Sequence, residues 1–145
     1  MRNIVLTYQQ GPDMKKALSA AVFTILAIKA THKYGFNLDA PTAELLAEVE
    51  TQVMYDGPGD TGGVAFVMKS GEIKCLCGGG GAFDELVNLA KAAGGKWLTC
   101  FDIGDIVERY EHHGFYIQEQ FPYDPDLAQN VPSWAVGSPV VKMVL

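Results

Sequence analysis

The stretch KCLCGGGGAFDEL, Lys74 to Leu86, decides the fold: an alternating strand runs through four consecutive glycines straight into the start of an amphipathic helix. Each glycine costs roughly 0.5–1 kcal/mol of extra ordering entropy relative to alanine, so such a run stands where side chains are unwelcome. Two readings compete. The run is either slack punctuation, with Gly80 or Gly81 as a weak N-cap and Asp84 in the first turn, or a place where unpaired backbone N–H groups meet an anionic ligand. Two standard phosphate loops fail the test. No Lys-Ser/Thr pair follows the glycines, and the unit is not an early strand followed by an acidic residue about twenty positions on. Asp84 and Glu85 complement the helix dipole and compete with an incoming anion.

Working outward, VAFVMKSGEIKCLC reads as two strands, Val64 to Lys69 and Glu72 to Cys77, joined by a tight turn at Ser70 and Gly71. Beyond the glycines, Phe83, Leu86, Val87, Leu89 and Ala90 mark a helix that stops at Gly94 and Gly95 before the strand KWLTCF. A short helix DIVERYEHHG with Gly114 as C-cap follows, then the strand FYIQEQFPY. On the other side, NIVLTY reads as a first strand, QQGPD as a turn with Asp13 as N-cap, and Met14, Leu18, Ala21, Val22, Ile25 and Ile28 as the buried face of a helix to about His32. Leu45, Leu46, Val49, Val53 and Met54 predict a second, acidic helix whose Glu44, Glu48 and Glu50 form a solvated face. DGPGDTGG, Asp56 to Gly63, reads as loop, and the tail holds Trp134 and VVKMVL as a last strand. The expected class is α/β (α+β): one domain over 1–145 with a mixed, mostly antiparallel sheet and helices on both faces. Residues 1–55 supply a strand and two helices, 64–123 the core, and 124–145 the tail with the last strand.

The 145 residues are 48% apolar and 19% charged, with a net charge of -6 and 11 scattered basic residues. Nucleic acid is therefore not expected as a partner. The longest apolar stretch, ALSAAVFTILAIKA from Ala17 to Ala30, is too short to span a bilayer and follows polar residues unlike a signal peptide, so no membrane is expected and the location is read as cytoplasmic. The three cysteines argue against a disulfide framework. A zinc site of Cys75, Cys77, Cys100 and His112 or His113 fits no standard spacing, and free, buried thiols are the better reading, with no metal expected.

From Glu72 onward the order of motifs resembles the GNAT superfamily of acyl-CoA-dependent N-acyltransferases. The pieces that carry the resemblance are KCLCGGGGAFDELVNLAKAAGGKWLTCF and DIVERYEHHGFYIQEQFPY, above all YEHHGF, in which Tyr110 lies four residues before Gly114 and Phe115. Short GNAT-like proteins encoded by bacteriophages are similar in the run LTCFD through GF to FPYD. The resemblance implies acetyl-CoA as co-substrate, held at Leu76, Cys77, Gly78, Gly79, Gly80, Gly81 and Ala82, with Tyr110 giving a proton to the departing thiolate. The loop departs from the family's pattern: it begins with Cys77, has no Arg or Gln beside it, and one strand fewer precedes it.

The implied reaction is direct attack of an amine on the thioester, which needs a base, an oxyanion donor and an acid. Glu72 and Asp102 are candidate bases, each with a surface carboxylate as the plain alternative. The acceptor is expected to be a small-molecule or protein amine, and the acidic chain favours cationic ones. Set against the enzyme is an inactive GNAT-fold binding or inhibitory protein, a homodimer or a partner of another protein, presenting Tyr116, Phe121, Tyr123 and Trp134.

Overall fold

Val64 to Met68 are buried without a break, and a strand with no solvated face needs cover on both sides. The computed structural model, which describes residues 2–7, 12–56, 62–78, 81–126 and 131–145, supplies that cover. The described elements are β1 (Arg2–Thr7), α1 (Pro12–Thr31), a 3₁₀ turn Gly35–Asn37, α2 (Ala43–Ala47), β2 (Val49–Asp56), β3 (Gly63–Met68), β4 (Ile73–Gly78), α3 (Ala82–Ala92), β5 (Trp97–Phe101), α4 (Ile106–Glu111), β6 (Tyr116–Phe121), a 3₁₀ turn Ser133–Ala135 and β7 (Val140–Val144). Along β3, Val64, Phe66 and Met68 pack with Ala21 and Ile25 of α1, while Ala65 and Val67 pack with Val87 and Ala90 of α3. Helices thus lie on both faces, as the sequence predicts.

The expected second helix does not run to Met54. It stops at Ala47, and β2 takes Val49 onward, pairing antiparallel with β1 and β3. The three-and-four spacing of Leu45, Val49 and Val53 misled because the run also fits a strand: Val49, Thr51, Val53 and Tyr55 are all buried, with a register slip after Val49 that leaves Val49 on the α1 face and Val53 on the α3 face. Three of those four are β-branched, and pairing on both edges decides for strand. This strand is the one expected to be missing before the loop. Asp13, expected as N-cap, falls inside α1, whose first helical residue is Pro12; proline suits that position because its missing N–H has no intrahelical partner there.

The strands form two antiparallel sheets rather than the expected single one. The first has the order β1-β2-β3-β4 and the second β5-β7-β6, so the C-terminal strand is central to its sheet. Where β4 and β5 meet they run parallel, joined through the Glu72–Trp97 bridge and the Lys96 N–H to the Gly71 carbonyl at 2.9 Å. Toward their other ends the 3₁₀ turn and the residues after it stand in for a ladder. The Phe101 N–H donates to Asn37 Oδ1 at 3.1 Å, and the Cys75 thiol donates to the Asp39 carbonyl at 3.5 Å. The split between the sheets is therefore filled from α1's C-terminal connection.

Candidate active site

β4 ends beside α3 because two glycines let it. Gly63 and Gly78 are register partners, and a Cβ on Gly63 would lie 2.4 Å from the Cys77 carbonyl oxygen and 2.7 Å from a Leu86 methyl. A Cβ on Gly78 would stand 3.0 Å from Ala82 Cβ and from Gly63 Cα. Close packing of α3 on the strand pair thus explains Gly78. It does not explain Gly81, the N-cap of α3, whose φ is −91° and whose Cβ would meet nothing within 4 Å. Gly79 and Gly80, also expected at the cofactor, lie outside the described residues.

Three residues before Gly78 the strand bulges. The register between β3 and β4 slips between the Val64–Cys77 and Phe66–Lys74 pairs, and Cys75 has a φ of 56°. Lys74 and Cys75 accordingly face the α1 side in succession, while Leu76 turns to the α3 side and Cys77 back again. A bulge takes a residue out of the ladder and frees backbone polar groups at the strand's end. Sequence patterning misses this because Cys75 and Cys77 still alternate on one face.

A cavity of ≈ 220 Å³ opens at this point, lined by Leu76, Cys77 and Gly78 of β4, Phe83 of α3, Ile106, Arg109 and Tyr110 of α4, and the stretch from Ile28 to Leu38. Tyr110 is 8% exposed, packed edge-on against Phe83 at 5.0 Å and Phe115 at 5.8 Å between ring centroids. Burial, reinforced by the neighbouring Cys100, pushes its phenol well above the ordinary range, against a smaller opposing pull from Arg109. The phenol makes no hydrogen bond with any described residue. Gly114 takes the left-handed conformation at φ 92° that ends α4 and turns Phe115, 2% exposed, back under Tyr110. The YEHHGF run is therefore one packing unit.

Leu76, Cys77, Gly78 and Tyr110 are brought together; the two carboxylates are not part of that lining. Glu72 sits at the opposite end of β4, about 16 Å of extended strand from Cys77. Its carboxylate lies 3.4 Å from Lys74 Nζ, which also holds Asp39 at 3.0 Å. Burial raises the Glu72 pKa, with Lys74 pulling the other way. Asp102 is exposed beyond β5 and donates its backbone N–H to the Pro139 carbonyl. Ala82, the first residue of α3, is fully buried, so its side chain is out of a ligand's reach.

A second cavity, ≈ 360 Å³, lies beside the first and shares Asn37 and Leu38 with it; Lys29, Asp39, Thr99, Cys100 and Phe101 complete much of its wall. The cysteines are all buried and free, with thiols pushed from 9.0 up to about 12, in each case chiefly by burial. Such thiols stay protonated and are poor nucleophiles. Among the described residues no three His, Cys, Asp or Glu side chains converge as a metal site, and no helix is long and apolar enough to cross a membrane. His113 is engaged at the head of α3: its Nε2 lies 2.8 Å from Asp84 Oδ1 and its side chain is 12% exposed.

No protein-family model matches the sequence, and a search of characterised proteins by sequence finds no match. Solved structures do match. A Lactobacillus plantarum protein assigned as an N-acetyltransferase superposes with a TM-score of 0.55 at 17% identity, over 97% of this chain and 95% of its own. The ribosomal-protein-alanine N-acetyltransferase of Brucella melitensis gives a TM-score of 0.52 at 11% identity, over 98% and 99%. With strands and helices in that order along nearly its whole length, this chain has the GNAT fold.

Proposed function

We propose that the protein is an acyl-CoA-dependent N-acyltransferase that moves an acetyl group to an amine by direct attack. The observation that carries this reading is Tyr110: a largely buried tyrosine whose phenol has no hydrogen-bond partner among the described residues, in the wall of a cavity formed where a bulged strand ends against a glycine-started helix.

Each step has a group suited to it. A thioester carbonyl near the end of β4 develops negative charge on attack, and backbone N–H groups freed by the Cys75–Leu76 bulge are the donors. The thiolate that leaves needs a proton, and the raised pKa of Tyr110 keeps its phenol protonated at neutral pH to supply it. The amine must arrive neutral. Glu72, whose basicity is raised by burial, lines neither cavity and stands about 16 Å of strand from Cys77, so it reaches the amine only through a chain of waters. Asp102, exposed beyond β5, is the weaker candidate. The acceptor is a small-molecule or protein amine; one structural neighbour is named for alanine of ribosomal proteins, and the net charge of -6 favours cationic acceptors.

The test is thiol release from acetyl-CoA with a panel of polyamines and basic peptides, comparing wild type with Tyr110→Phe. Loss of a general acid costs about 10²–10⁴-fold in kcat with acetyl-CoA affinity kept. Equal rates for the two proteins would remove Tyr110 from the mechanism.

One observation favours the binding-protein alternative. Every residue of β6, an edge strand, is exposed, including Tyr116 at 54% and Phe121 at 37%. Exposed apolar edges attract partners. Trp134, at 49%, adds to the exposed aromatics, whereas Tyr123 packs into the cluster with Phe101 and Ala135. Failure to bind acetyl-CoA together with dimerisation abolished by Ile117→Lys would favour this reading.

A further inference from the structure

The glycine run has no basic side chain, and the first turn of α3 carries Asp84 and Glu85, so an anion arriving there meets the wrong charge. Lys74, the basic residue preceding the run, is engaged by Asp39 and Glu72. Yet one residue lining the first cavity carries a permanent charge: Arg109. Among the described residues it forms no ion pair, although Asp105, Glu108 and Glu111 surround it on the same short helix. Its guanidinium lies 4.3 Å over the Phe83 ring centroid.

The ring holds the guanidinium beside it, and the guanidinium N–H groups have no hydrogen-bond partner among the described residues. A guanidinium laid on an aromatic face keeps its in-plane donors, the fork that matches a phosphate bidentately. The ring beneath it belongs to the second residue of α3, beside Gly81 and Ala82, so the cation is delivered to the helix start from α4. Asp84, in the first turn of α3, is occupied as well, since it is held by His113 at 2.8 Å. Tyr110, the next residue along α4, is more than nine-tenths buried, lines the same cavity, and its phenol has no hydrogen-bond partner among the described residues. The two adjacent residues thus bring to one cavity a proton donor and a cation.

We infer that Arg109, stacked on Phe83, binds a phosphate of coenzyme A and supplies from α4 the positive charge that the glycine loop lacks. The inference rests on the acyl-CoA reading above. It makes Arg109 a substrate-binding residue whose contribution is to affinity for the phosphate-bearing half of the donor and not to the thioester.

Calorimetric titrations of the wild type with acetyl-CoA, 3′-dephospho-acetyl-CoA and S-acetyl-pantetheine, repeated with Arg109→Met and Arg109→Lys, test it. Methionine keeps an apolar stem over Phe83 without the charge. The expected result is at least a tenfold loss of acetyl-CoA affinity in Arg109→Met, a smaller loss in Arg109→Lys, a shallower salt dependence, and unchanged response to S-acetyl-pantetheine. If dephospho-acetyl-CoA binds the wild type as acetyl-CoA does, the contact is to the pyrophosphate; if its affinity matches that of Arg109→Met for acetyl-CoA, the contact is to the 3′-phosphate. Acetyl-CoA binding by Arg109→Met as tight as by wild type overturns the inference and leaves the acyl-CoA reading standing. So does an equal loss for S-acetyl-pantetheine with a lowered Tm, which would make Arg109 a packing residue. No binding of acetyl-CoA by wild type overturns both.

Discussion

Gly81 separates a glycine kept for the chain from one kept for a ligand. A side chain there meets open space and an ordinary negative φ, so the protein itself places no obstacle to substitution. What changes is the cap of α3. Serine accepts a hydrogen bond from the first turn where glycine cannot, so Gly81→Ser is expected to stabilise by about 0.3 kcal/mol, and Gly81→Val, lacking that acceptor, to destabilise by about 0.5–1 kcal/mol. For a chain of this size those amounts move Tm by roughly 1 °C upward and 2–3 °C downward. Acetyl-CoA affinity should fall in both, by about tenfold or more, equivalent to about 1.4 kcal/mol, because either side chain occupies the approach to the N–H groups of α3. Stability and affinity therefore part company in the serine variant. Differential scanning fluorimetry and calorimetric titration on the same preparations read both quantities. Acetyl-CoA bound by Gly81→Ser and Gly81→Val as by wild type would refute the cradle and return the run to punctuation.

Gly63→Ala should behave in the opposite way: its Cβ would stand 2.4 Å from a backbone oxygen, so about 1–3 kcal/mol of stability is lost in denaturant melts whatever the ligand does. The buried thiols predict alkaline sensitivity. Their pKa rises from 9.0 to about 12 on folding, so the native state binds more protons between those values and stability falls as pH rises through that window. At pH 10 the loss is about 1.4 kcal/mol per thiol relative to pH 7, and Cys100→Ala should flatten the urea-midpoint profile between pH 8 and 10 by about one third; an unchanged profile would show the Cys100 thiol exposed. Asn37→Ala removes the acceptor for the Phe101 N–H and should cost about 1–3 kcal/mol, with faster amide exchange at Phe101.

Most elements were legible because their punctuation is local. Gly71 at φ 88°, Gly94 at 98° and Gly114 at 92° mark turns and helix ends where only glycine is relaxed, and these are the boundaries that sequence reading placed. The failure at Val49 to Asp56 has a different character. Leu45, Val49 and Val53 satisfy a helical period and Val49, Thr51 and Val53 a strand period, and the choice is made by β1 and β3, which are distant in sequence. The split of the sheet was hidden for the same reason, since the segment filling it is Asn37 to Asp39 and its partners are Phe101 and Cys75.

At the site, sequence could offer Tyr110 and the glycines because a motif spacing carried them, but it could not pair residues across elements. Sequence alone gives Arg109 no role, and offers His113 only as a rejected zinc ligand. Their significance comes from Phe83 and Asp84, neighbours at the head of α3, one beneath the guanidinium and one against the imidazole. Both contacts tie α4 to the start of α3. The same contacts manage the local charge, occupying a carboxylate and presenting a cation beside the glycine loop. A loop without its own basic residue is thus compatible with anion binding when the opposing helix supplies the charge, and the electrostatic argument against the loop applies to its sequence but not to its folded surroundings.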